Sequence, residues 1–313
     1  MIVSASRRTD IPAFYSDWFF NRLRDGFAWV RNPMNPRQVS EIPLTPRSVD
    51  CFVFWTKNPA PMLARHADEL VKMATPFYFH ITITPYGRSI EPAVARKEEV
   101  LSSFAALARL VGRERVIWRY DPIIFTDTID IAYHLKHFTD IAEFLAPHPD
   151  KCVISFLDIY RKIQHNMREI GAFDPPEEAK HELCRKLHSV ATQAGMQIAA
   201  CAEAADFSAD GITRNRCIDP DLIARLCGET LSIPKDKHQR KECLCAESVD
   251  IGAYNSCAHL CRYCYANADR ARVEANAAEH DPGYPMLFGK MAENDRLYKR
   301  ELRSCTPCLK GMF

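Results

Sequence analysis

Seven short runs of β-branched, aliphatic and aromatic residues, at 2–6, 28–31, 51–55, 78–84, 116–120, 153–157 and 197–201, alternate with longer stretches of helical character. The helical patterns cover 15–25, 61–73, 97–111, 129–145 and 178–194. Strands separated by helices are joined by crossovers rather than tight turns, and crossovers make the strands parallel. No internal repeat or low-complexity tract interrupts the series, which removes solenoid and fibrous architectures.

The ends of the runs carry more chemistry than their middles. Each gives way to polar residues: Ser6-Arg7-Arg8-Thr9-Asp10, Arg31-Asn32-Pro33, Thr56-Lys57-Asn58, Thr82 to Thr84, Arg119-Tyr120-Asp121-Pro122, Ser155 to Asp158, and Cys201-Ala202-Glu203. In a parallel barrel those ends converge on one face, where such folds place their active sites. The expectation is an α/β fold, a TIM-like (β/α) barrel, complete or partial, over residues 1–210. Arg7, Arg8, Asp10, Lys57, Asn58, Arg119, Asp121, Asp158 and Glu203 are its rim candidates. The plainer alternative is a ring of salt bridges that only organises the rim, since polar residues end strands in general.

Beyond residue 210 the pattern loosens into a cysteine-rich segment, 211–267, expected to pack on the barrel rim. A C-terminal helix and tail, 268–313, complete the domain plan. The segment contains Cys257, Cys261 and Cys264, spaced C-x3-C-x2-C, with Tyr263 directly before the third. Thiolates so spaced on a tight loop hold three corners of a [4Fe-4S] cube and leave one iron open for a small ligand. A structural zinc site needs four ligands, and His259 is the one further donor within the loop. Unliganded thiols are the weakest reading, because clustered exposed thiols oxidise.

Thirteen cysteines would suggest disulfides in a small secreted chain, but residues 1–8 do not read as a signal peptide and no apolar run reaches membrane-spanning length. A reducing cytoplasm, with metal or cluster ligation and no membrane partner, is the expectation. The formal charge of +1 advertises no polyanionic partner globally, although a local basic patch stays open.

Several motifs are together similar to a known family. Ser4-x-Ser6-Arg7-Arg8-Thr9-Asp10-Ile11-Pro12, Phe54-Trp55-Thr56-Lys57-Asn58-Pro59, Trp118-Arg119-Tyr120-Asp121-Pro122 and the cysteine loop resemble an uncharacterised bacterial family of unknown function that is radical-SAM-like. The resemblance covers nearly the whole chain to about residue 267. The loop resembles that of the radical S-adenosylmethionine (SAM) superfamily and, more distantly, Cys257 to Tyr265 is similar to the loop of the spore photoproduct lyase group, which repairs DNA photoproducts. The resemblance implies a [4Fe-4S] cluster on Cys257, Cys261 and Cys264, with SAM on the open iron through its amino and carboxylate groups. It further implies an electron donor such as flavodoxin or ferredoxin, and a 5'-deoxyadenosyl radical that takes hydrogen from an unidentified substrate.

In that setting Tyr263, Lys57, Asn58 and Asp158 are candidates for holding the cofactor, and Arg7, Arg8, Asp10, Arg119, Asp121 and Glu203 for the chemistry. Arg7, Arg8 and Arg119 suit a carboxylate or phosphate, which arginine holds through two parallel hydrogen bonds; Asp121 and Glu203 suit the SAM ammonium or ribose hydroxyls. The sequence departs from the superfamily in two ways. The loop follows the strands instead of the first strand, which implies a permuted order in which 248–253 returns the chain to the rim. No Gly-Gly-Glu-Pro stretch of the kind that contacts the SAM amino group is present, and Glu91-Pro92 is a poor counterpart.

Cys201, Cys217, Cys243 and Cys245 form a second set, suited to an auxiliary Fe-S cluster or a zinc ion. Against this, Cys201 alone reads as a small buried hydrophobe. Cys51, Cys152, Cys184 and Cys227 read as core, as does His80; Cys305 and Cys308 read as a thiol pair near the terminus. A second functional class stays open, a zinc- or Fe-S-stabilised binding protein for nucleic acid or another anionic ligand. A hydrolytic metal barrel ranks last, because the rim offers almost no histidine.

Overall fold

In Cys51-Phe52-Val53-Phe54 and in Phe77-Tyr78-Phe79-His80-Ile81 every side chain is buried. Strands buried on both faces belong in a covered parallel sheet. The computed structural model describes residues 1–229 and 231–300. Its elements run β1 (Ile2–Ala5), α1 (Ile11–Phe14), α2 (Ser16–Asp25), β2 (Phe27–Asn32), β3 (Asn35–Pro43), β4 (Cys51–Thr56), α3 (Ala60–Val71), β5 (Phe77–Thr82), α4 (Lys97–Val111), β6 (Val116–Ile123) and α5 (Ile131–Leu145). They continue through β7 (Lys151–Phe156), α6 (Gln164–Glu169), α7 (Glu177–Gln193), β8 (Gln197–Cys201), β9 (Thr213–Asn215), α8 (Pro220–Cys227), β10 (Val249–Asp250), α9 (Arg270–Ala278) and β11 (Arg296–Lys299).

The main sheet has eight strands in the order β10-β1-β4-β5-β6-β7-β8-β9, every neighbour parallel. Side chains alternate between its faces. Val3, Phe52, Phe54, Phe79, Trp118 and Ile154 join a core with Phe19 of α2, Met62 of α3, Phe104 of α4, Phe138 of α5 and Leu187 of α7. The residues between them, Ile2, Val53, Tyr78, Ile117 and Val153, face a second cluster made by Cys217, Ile218, Leu222, Ile223, Cys243 and Cys245. Helices therefore cover one face, and the stretch from β9 towards β10 covers the other.

One expectation is corrected. The run 28–31 is not a barrel strand. It lies in β2, which turns at once into β3 and pairs with it antiparallel, from Phe27↔Pro43 to Asn32↔Asn35. The two residues between β2 and β3 make a hairpin, whereas a parallel return needs a dozen or more. With β11, parallel to β3, this makes a separate three-stranded sheet, so Arg31-Asn32-Pro33 is not part of the rim. The expected α/β architecture is present as one parallel sheet, in which, among the described residues, no backbone pairing joins β9 to β10. Those edge strands are three and two residues long, too short to present a full ladder.

The main sheet also draws β9 and β10 from beyond residue 210. The segment after α9 is fastened to α2, where Trp18 Nε1 donates to the Tyr284 carbonyl at 3.0 Å and Arg22 Nη2 to that of Gly283 at 2.9 Å. Cys305 and Cys308 lie outside the described residues. Among the described residues no helix is long and apolar enough to cross a membrane.

Candidate functional site

The cysteine loop leaves β10 at the edge of the sheet, beside β1. Val249 pairs with Val3 and Asp250 with Ser4. The Asp250 carboxylate accepts from Ser4 Oγ at 2.7 Å, Ser6 Oγ at 2.6 Å, the Arg7 amide at 2.8 Å and the Gly252 amide at 2.9 Å. One carboxylate thus ties the end of β1 to the start of the loop. Gly252 leaves room there for the Ser6 side chain, since a Cβ would stand 2.1 Å from Ser6 Oγ.

The loop is then latched to segments that follow several parallel strands. After β1, His259 Nε2 sits 2.8 Å from Asp10 Oδ2, and Tyr265 Oη donates to the Arg7 carbonyl at 2.9 Å. After β5, the Arg262 amide donates to the Ile90 carbonyl at 2.9 Å and the Ala93 amide to that of His259 at 3.2 Å. After β7, Lys162 Nζ donates to the Tyr265 carbonyl at 2.7 Å and Asn166 Nδ2 to that of Arg262 at 3.0 Å. Cys257, Cys261 and Cys264 therefore lie at the C-terminal ends of the strands, the face where parallel α/β sheets carry their ligands. Leu260, between the first two cysteines, has φ of 56°, a left-handed conformation uncommon for an apolar side chain, and the backbone bonds on either side hold it.

Beneath the loop lies a buried carboxylate, Glu91, that is not among the rim candidates. Glu91 Oε1 accepts from Lys57 Nζ at 2.7 Å, Thr84 Oγ1 at 2.6 Å and Tyr263 Oη at 2.5 Å, while Oε2 accepts from Lys97 Nζ at 2.5 Å. Burial alone would raise its pKa, but Lys57 and Lys97 outweigh that and hold it down at about 2. Conversely, burial disfavours the Lys57 ammonium, and Glu91 and then Cys261 reverse the balance and raise its pKa.

The three thiols are free. Burial raises the pKa of each; for Cys257 the nearby Cys264 and Asp10 add to it, and Cys261 reaches about 12 despite Lys57. Thiols whose ionisation is opposed by burial and, at Cys257 and Cys261, by a neighbouring thiol suit a cationic centre that would reverse the effect. Around them His259 Nδ1, Asn267 Oδ1 and Thr9 Oγ1 are buried without a hydrogen-bond partner among the described residues. Three cysteines on one latched loop are the kind of donor set that a three-thiolate cluster uses, although among the described residues no three such side chains are already gathered around a point as ligands of an ion are.

The rim candidates divide into two groups. Asp10 accepts from Ala13 N as the N-cap of α1 and from the Lys57 amide at 2.7 Å, besides meeting His259, so it organises the loop. Arg7 reaches Ser248 Oγ at 3.0 Å, and Arg8 stacks its guanidinium 5.2 Å from the Tyr254 ring centroid. Asn58 Oδ1 accepts from the Ala60 amide at the start of α3. On the far side, buried Arg119 pairs with Asp121 and donates to Cys217 Sγ at 2.8 Å. Glu203 accepts from Ser155 Oγ at 2.9 Å and the Phe156 amide at 2.8 Å, and burial raises its pKa. Asp158 is exposed and paired with Arg240. Asp121 bridges the groups electrostatically, since it helps keep both Lys57 and Arg119 charged.

Cys201, Cys217, Cys243 and Cys245 are brought together, against the inner face of the sheet. His80 lies in the core, with Nε2 2.8 Å from the Cys217 carbonyl, and burial lowers its pKa to about 4. Cys51, Cys152 and Cys184 are core as expected, and Cys227 is half-buried. A family model described as a domain of unknown function, DUF1848, matches residues 2–266. No curated protein matches the sequence.

Proposed function

The chain belongs to the DUF1848 family, a domain of unknown function, and we propose that it is a radical SAM enzyme acting on a substrate held over the C-terminal ends of its parallel sheet. The reading is carried by one observation: Cys257, Cys261 and Cys264 occupy a loop that leaves an edge strand and is latched beside Lys57, Glu91 and Tyr263. When bound, a [4Fe-4S] cluster with SAM on its open iron supplies reductive cleavage to a 5'-deoxyadenosyl radical.

The chain's own residues would set the conditions. Cys257, Cys261 and Cys264 would hold three irons. Glu91 fixes Lys57 and the Tyr263 hydroxyl, which places a positive charge next to Cys261 and favours its thiolate. Asp10 and His259 fix the peptide between the first two cysteines. Arg119, buried and committed to Asp121 and to Cys217 Sγ, would organise the far side of the rim. A small electron carrier of the flavodoxin or ferredoxin type would supply the reductant. A strand order in which β10 precedes the loop and β1 lies next to it fits a (β/α) barrel begun at β10 and permuted in sequence.

Anaerobic reconstitution followed by reduction and addition of SAM tests the proposal, with iron, acid-labile sulfide and 5'-deoxyadenosine as readouts. Both the cluster and the nucleoside are expected in the parent protein and neither in Cys261→Ala. Zinc without iron and no SAM cleavage would overturn the reading in favour of a metal-stabilised binding protein.

A further inference from the structure

Cys201 ends β8, Cys217 follows β9, and Cys243 and Cys245 lie on the stretch that leads to β10. All four are buried and unpaired by disulfides. Their sulfurs form one chain of contacts: Cys201 to Cys217 at 3.0 Å, Cys217 to Cys245, and Cys245 to Cys243. N–H donors point at this chain. Arg119 Nη1 is 2.8 Å and Asn215 Nδ2 3.3 Å from Cys217 Sγ, and the Ile218 amide is 3.5 Å from Cys245 Sγ. Such donors favour sulfur that carries negative charge, as outer partners of metal-bound thiolates do. Among the described residues no three Cys, His, Asp or Glu side chains already surround a common point as ligands of an ion do. The four sulfurs run as a chain, and an ion would draw that chain closed.

We propose that Cys201, Cys217, Cys243 and Cys245 form a second metal centre, a tetrathiolate site for a single divalent, thiophilic ion of the zinc type. Spacing favours one ion over a cluster. Tetrahedral ligation at about 2.3 Å puts sulfurs ~3.8 Å apart, close to sulfurs already in contact, whereas a cube of iron and sulfide would have to push them much further apart. The centre clips the ends of β8 and β9 to the segment that carries the chain back to β10. The edge strands β9 and β10 are too short to hold that segment through backbone pairing. Arg119 then offsets part of the thiolate charge while Asp121 orients it. The site does not depend on the radical SAM reading.

The test uses the full chain purified without added metal, beside a variant with Cys257, Cys261 and Cys264 all changed to alanine, in which the inner four cysteines are untouched. Elemental analysis is expected to find one zinc ion per chain in both, and none in a Cys243→Ser/Cys245→Ser variant. Cobalt(II) added to the metal-stripped loop variant is expected to give sulfur-to-cobalt charge-transfer bands and the visible bands of a tetrahedral ion. Because that reading is made with the inner cysteines intact, misfolding of the serine variant does not blunt it. A loop variant without bound metal and without cobalt–thiolate bands would overturn the proposal. Iron with sulfide that follows the inner four cysteines would overturn it equally. Iron that follows the loop cysteines while zinc follows the inner four separates this centre from the proposed cluster.

Discussion

Two buried side chains show how single residues are committed to one protonation state. His134 is fully buried, accepts from Tyr120 Oη at Nδ1 and donates from Nε2 to the Ile124 carbonyl, both at 2.9 Å. Both bonds suit the neutral ring, and burial lowers its pKa to about 4. The unfolded chain takes up a proton near pH 6.5, the folded one only near 4, so stability is lost as pH falls through that window. Between pH 7.5 and 5 the loss attributable to this ring is about 2 kcal/mol. Urea unfolding at the two pH values should show it, and His134→Gln should reduce the difference by about that amount, leaving the similar contribution of buried His80. Glu91 is the opposite case. Removing it as Glu91→Ala leaves two partly buried ammonium groups facing each other, and thermal or urea unfolding should report a loss of about 3–5 kcal/mol. Sequence shows Glu91 only as a poor counterpart of a SAM-contacting motif, not as the centre of a buried network. Its partners Lys57 and Tyr263 lie 34 and 172 residues away, and contacts across such separations leave no local pattern.

At the scale of elements, legibility followed length and periodicity. The helix expected at 97–111 is present with those bounds as α4, because its apolar residues recur on one face over several turns. The run Ala28–Arg31 has the composition of a parallel strand and of a hairpin arm alike, so its antiparallel pairing with β3 is not legible in it. β10 is two residues long and offers no periodicity at all, yet it delivers the cysteine loop to the sheet. Its turn depends on Gly252. Gly252→Ala should cost roughly 1–3 kcal/mol, as overpacking does, and should lower iron retained after reconstitution. Pairing it with Ser6→Gly, which removes the atoms in the way, should restore part of both. No recovery in the double variant would mean that the clash is not what Gly252 relieves.

Across the whole molecule, the cysteine spacing identified the loop from sequence, while only the topology places it. One continuous parallel sheet, with helices over one face and the cysteine-bearing stretch over the other, sets two groups of thiols in different surroundings. One group lies on the latched loop at the strand ends; the other lies inside, against Arg119. The parallel alternation that announced the sheet could not show whether it closes, because closure depends on edge strands too short to register in a pattern. The central claim is that Cys257, Cys261 and Cys264 carry a cluster with an iron open to SAM. It is tested most directly by electron paramagnetic resonance of the reconstituted, reduced protein, with and without SAM. The protein is expected to give the signal of a reduced [4Fe-4S] cluster that shifts when SAM is added and is missing when the three loop cysteines are alanine. A signal that ignores SAM, or one that survives loss of those cysteines, would contradict it.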